Sequence, residues 1–169
     1  MQPKRLTLRE YQQQLLDRIR ATTLAGLAPS HLGFEAGDQL WAVPLADVSE
    51  VIPTSTITSV PMTRSWFSGL ANVRGSLYAV TDLGCFVTGT VTALTSESRF
   101  ILLHERYRLH AALLIRRSLG LRHFGVIAEP DARIPSEPRG MYKDAEGHIW
   151  RELSVRMLAE DAKFSNIRR

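Results

Sequence analysis

Five histidines, one cysteine and a scatter of single carboxylates are the residues of this chain that could carry nucleophilic, acid–base or metal chemistry. A nucleophilic Cys85 would need an electropositive setting and a base, which His104 or His110 could supply only through folding that the sequence does not specify. With no second cysteine, Cys85 can form neither an internal disulfide nor a thiolate metal site, and a small core hydrophobe is the plainer reading. His31, His104, His110, His123 and His148 follow no HExxH pattern. The close pairs Glu129 with Asp131 and Glu160 with Asp161 fall in a loop and a tail, where water solvates a carboxyl group and denies it the raised pKa of a general acid. GxxxxGK[ST] and GxGxxG loops and a GxSxG elbow are absent. The residue types point to a binding protein, with no catalytic residues, cofactor or metal expected.

Arg74 is the residue whose setting suggests recognition. In residues 69–83, GLANVRGSLYAVTDL, Gly69 tolerates a close approach, while Asn72 and Gly75 favour a turn that throws the Arg74 side chain outward. An arginine held there is a bidentate donor for a carboxylate. Periodicity alone favours an ordinary solvated surface arginine. After the turn, Leu77, Ala79 and Thr81 share one strand face and Tyr78, Val80 and Asp82 the other, and both are mostly apolar, so this strand belongs inside a sheet.

A chain of 169 residues with 44% hydrophobic content suffices for one domain with a real core or two small interlocked ones. It has no apolar run of about eighteen residues and no signal-like N-terminus, so a cytoplasmic location is expected. The formal charge of +4 divides into +3 over residues 1–30, −4 over 31–98 and +5 over 99–169. Such a bipolar surface suits protein partners of both signs better than nucleic acid.

Residues 6–24 place Leu8, Tyr11, Leu15 and Ile19 at helical spacing, and Gly26, Pro29 and Ser30 break the pattern, which predicts an amphipathic N-terminal helix and linker over 1–30. From His31 the period is two: 31–36 and 39–43 form a hairpin about Gly37 and Asp38. Residues 45–48 fit one helical turn with Asp47 outward, followed by an extended piece that Pro53 ends. Trp66 and Phe67 read as core. Polar residues 88–98 mark a boundary between lobes. Strands follow at 99–104 and 109–115, then a proline-rich stretch at 129–140, a hairpin turn into Ile149 and Trp150, and a helix over 153–158 capped by Ser154.

These motifs resemble CheW-like domains, the adaptors of bacterial chemosensory arrays. The resemblance rests on GLANVRGSLYAVTDL and on residues 34–52, FEAGDQLWAVPLADVSEVI. It implies a mainly β fold over 31–160: two interlocked five-stranded SH3-like barrels, lobes at 31–88 and 99–152, a C-terminal helix and a tail at 161–169. It also implies a protein-binding surface at Val48, Glu50, Val51, Asn72 and Arg74. The implied partners are a methyl-accepting chemoreceptor and a CheA-type histidine kinase. The N-terminal helix, the ANVRG wording and the ending SVRMLAEDAKF resemble the PilI-type branch, which serves twitching motility. Arg116 and Arg117 depart from the family's usual acidic position, so contacts at that edge do not carry over. The alternatives are a basic β-barrel binding single-stranded nucleic acid, motivated by the pI near 9.6 and the arginines over 99–122, and, last, an enzyme using Cys85 or His110.

Overall fold

The computed structural model describes residues 30–124, 140–144 and 146–169. The expected N-terminal helix and most of the proline-rich stretch lie outside them. Eleven strands in these residues form two sheets. The first, of five strands, has the order β10(Met141–Lys143), β11(Ile149–Glu152), β2(Gln39–Pro44), β1(His31–Ala36), β9(Arg117–Arg122). The second, of six, runs β3(Val48–Pro53), β7(Arg99–Leu103), β8(Ala111–Ile115), β6(Ser76–Asp82), β5(Phe67–Val73), β4(Ile57–Thr58). The sixth strand is the two-residue β4, which pairs with β5. Among the described residues no helix is long and apolar enough to cross a membrane.

The β1–β2 hairpin turns where expected, with both Gly37 and Asp38 at positive φ, as a tight two-residue turn between twisted strands requires. The lobe boundary falls elsewhere than expected. β6 pairs in parallel with β8, which demands a crossover, so residues 89–98 connect parts of one sheet. The second sheet occupies 48–115 and the first takes strands from both sides of it, 31–44 and 117–152. That interleaving is how the two sheets lock together.

β7 and β8 bury both faces, and their alternation sorts two cores. Ile101, Leu103, Leu113 and Ile115 join Phe34, Trp41 and Val43 of the first sheet, together with Trp66, Phe67 and Phe86. Phe100, Leu102, Ala112 and Leu114 point the other way and meet Val80, Ala71 and Val73. Every member of this smaller cluster comes from the second sheet itself, and Ile52 of β3 and Ile57 of β4 close on it from the two edges. A flat sheet cannot bury a face against itself, so this one curls. Each large side chain so buried stabilises by about 1.5–3 kcal/mol relative to exposure.

Helix α1(Leu83–Thr88), which the sequence reading did not assign, continues directly from β6. Asp82 caps it, accepting from the Cys85 amide at 3.1 Å, and its carboxylate also accepts from the Thr92 amide and hydroxyl at 2.7 and 2.6 Å. Helix α2(Val155–Glu160) has the expected Ser154 cap. Residues 161–169, expected as a tail, are docked: α3(Ala162–Ser165) buries Phe164, whose ring stacks on Trp66, and Lys163 donates to the Phe86 carbonyl. An apolar anchor outweighs the polar character of the surrounding residues.

Candidate functional site

β5 and β6 are joined by a two-residue turn at Arg74 and Gly75, with φ of 53° and 88°. Gly69, expected to belong to the approach, lies inside β5. Its φ is 135°, and a Cβ there would sit 2.1 Å from the Thr58 carbonyl oxygen, so glycine lets β4 close on β5. Asn72 accepts from the Gly75 amide at 2.8 Å and locks the turn, in the manner of an Asx turn. Arg74 thus leaves the sheet from a fixed backbone.

Its side chain is outward and 73% exposed, but it already has a carboxylate. Arg74 Nη1 donates to Glu50 Oε2 at 2.8 Å and Nη2 to Glu50 Oε1 at 2.6 Å. Hydrogen bonding to Glu50, then its charge, raises the Arg74 pKa. The pair ties the β5–β6 turn to β3, an edge strand. Fully exposed cations are screened by water and salt, so the pair orients more than it stabilises.

Glu50 reaches Arg74 because β3 carries a bulge between Val48 and Glu50. The extra residue, Ser49, lets Val48 and Val51 pair opposite Leu103 and Ile101 and pack on the main core, while Glu50 rides at the rim of the other face. The structure therefore brings Arg74, Asn72 and Glu50 together at the surface and leaves Val48 and Val51 half-buried on the opposite face, packed on the main core.

Asp47, expected to point outward from its helical turn, is buried. It accepts from the Tyr107 hydroxyl at 2.8 Å and pairs with Arg106, so a partner 60 residues away reverses its local preference. The arginines at the atypical edge are also engaged: Arg117 bonds Glu35 at 2.6 Å, and Arg116 lies 3.3 Å from Asp38. The Arg117 bond, followed by the nearby charges of Arg117 and Arg116, overcomes burial and holds the Glu35 carboxyl below its ordinary range.

Cys85 is buried, with the Ser65 hydroxyl 3.8 Å from its sulfur, a core setting rather than that of a nucleophile. Among the described residues Asp144, Glu146 and His148 could converge on a metal. Asp144 is, however, already an acceptor for the His148 amide, the His148 ring and the Trp150 indole, at 2.7, 3.1 and 2.9 Å. Its carboxylate organises the β10–β11 hairpin.

The sequence profile described as CheW-like domain matches residues 30–163. Protein PilI of Pseudomonas aeruginosa is 33% identical over 97 residues, 57% of this chain and 54% of that protein, so the chain spans about half the length of this curated relative. The crystal structure of the scaffolding protein TtCheW from Thermoanaerobacter tengcongensis aligns with a TM-score of 0.61 at 20% identity, covering 76% of this chain and 90% of that one. The structural likeness extends to the fold alone.

Proposed function

Because this chain belongs to the CheW-like domain family, we propose that it is a non-enzymatic adaptor coupling a methyl-accepting chemoreceptor to a CheA-type histidine kinase. Its output is twitching motility by type IV pili, a reading supported by the likeness to PilI, and it works in the cytoplasm. The observation that carries the proposal is the joining of two sheets through one core, together with an exposed, pre-oriented Arg74–Glu50 pair at the surface of the second sheet. An adaptor must hold two docking faces in fixed geometry, and burial on such faces gives affinity while charge gives orientation.

The nucleic-acid reading is weakened by what the basic residues touch. Arg106, Arg116 and Arg117 face carboxylates, and Arg99 donates to the Ser96 and Ser98 carbonyls. Phe100, which would have to stack on bases, is fully buried. Co-purification from the native cytoplasm tests the proposal. A histidine kinase and a chemoreceptor should accompany the protein, and recovery of neither would overturn it.

A further inference from the structure

A cleft of about 400 Å³ opens beside the Arg74–Glu50 pair, lined by Ser49, Tyr78, Leu103, Glu105, Arg108, Leu109 and His110. It lies where β7 ends and β6 and β8 begin, next to the Ser49 bulge. Its size is that of a small-ligand site. Leu103, Leu109 and the Tyr78 ring are apolar wall, and the His110 ring lies against Tyr78 with centroids 6.0 Å apart.

The rim is built before any ligand arrives. The 3-10 turn Glu105–Tyr107 is fastened by Asp47, through Tyr107 and Arg106, and by His104, whose ring accepts from the Arg106 amide. The next residue, Arg108, adopts a left-handed conformation with φ of 51°, which is uncommon for a side chain of its size. Among the described residues its guanidinium makes no ion pair or hydrogen bond, whereas the neighbouring carboxylates Asp47 and Glu50 are occupied by Arg106 and Arg74. Ser49, Tyr78, Arg108 and His110 bring donors to the lining, and Glu105 is the only carboxylate among the lining residues.

We propose that this cleft is a second recognition point, which receives an acidic side chain from a protein partner, with Arg108 as the principal donor and Leu103, Leu109 and Tyr78 packing on its methylenes. The inference rests on the adaptor reading for the kind of partner. Charge complementarity selects a carboxylate, because among the described residues the Arg108 guanidinium has no acceptor. Arg74 then sets the partner's orientation at one side of the bulge and Arg108 at the other.

The test is an amide chemical-shift titration of the full-length protein with acetyl-Glu-Glu-amide, with acetyl-Gln-Gln-amide and inorganic phosphate as comparisons. Saturable shifts at Ser49, Leu109 and His110 are expected for the Glu peptide alone, weakened roughly tenfold by Arg108→Gln with circular dichroism unchanged. No saturable shift, an equal response to the Gln peptide, tighter binding of phosphate to the same amides, or indifference to Arg108→Gln would each overturn the proposal. The titration contains neither kinase nor receptor, so its failure removes the cleft and leaves the adaptor reading standing.

Discussion

Arg74 and Glu50, 24 residues apart in the chain, hold each other through two parallel guanidinium–carboxylate bonds at the surface. The pair joins a hairpin turn to an edge strand, and both partners remain open to solvent. Arg74→Glu places like charges together and should lower receptor affinity roughly tenfold. Because the pair is exposed, the far-UV circular dichroism should not change. Unaltered receptor pull-down with a normal spectrum would remove Arg74 from the binding surface.

Gly69 and Gly75 test which glycine the hairpin needs. Gly69→Ala drives a methyl into the Thr58 carbonyl, which belongs to a paired strand and cannot swing aside. Urea titration should show a loss of about 3 kcal/mol or more. Gly75→Ala meets open space and pays only for its left-handed φ, a loss of about 1 kcal/mol. Equal losses would mean that the close approach is relieved elsewhere.

Asp82 sits at the junction of β6 and α1, and its buried carboxylate accepts three hydrogen bonds. Asp82→Ala strands those donors and should cost about 3 kcal/mol in chemical denaturation. Thr92→Val removes only the hydroxyl and should cost about 1 kcal/mol. A neutral Asp82→Ala would show the cap to be dispensable.

Acid should weaken the fold through Glu35 and Asp144. Glu35 titrates below its ordinary range because of the Arg117 hydrogen bond. Desolvation would raise the Asp144 pKa, but hydrogen bonds from Trp150 and His148 outweigh it and draw it down to about 2. A carboxyl with a depressed folded pKa stabilises fully above its unfolded value, and that stability is lost as pH falls through the folded value, since the unfolded chain takes up the proton first. Stability should therefore decline as pH drops from about 5 toward 2. Urea midpoints across that range should decline less in Glu35→Gln and in Asp144→Asn, and slopes identical to the parent would contradict the assignment.

The periodic elements were legible in the sequence. The β1–β2 hairpin, the apolar β7 and β8, the alternation in β6 and the Ser154 cap all follow from local spacing and turn chemistry, and the structure contains each. Helix α1 was missed because its apolar residues continue the run of β6, although Asp82 before it and Gly89 after it are cap residues. β9 was missed because its pairing with β1 is a long-range fact. At the candidate site Arg74 and Asn72 could be picked out from turn chemistry. The bond to Glu50 and the burial of Asp47 could not, since the first needs the curl of the second sheet and the second needs the β3–β7 pairing that sets Asp47 beside residues 104–107.

Coupling itself can be measured with purified components, as kinase autophosphorylation in the presence of receptor signalling domains, with and without this protein. Receptor-dependent change in kinase activity should appear only when the protein is added, and should fall with Arg74→Glu. Coupling that proceeds without the protein, or no coupling when it is present, would contradict the adaptor account.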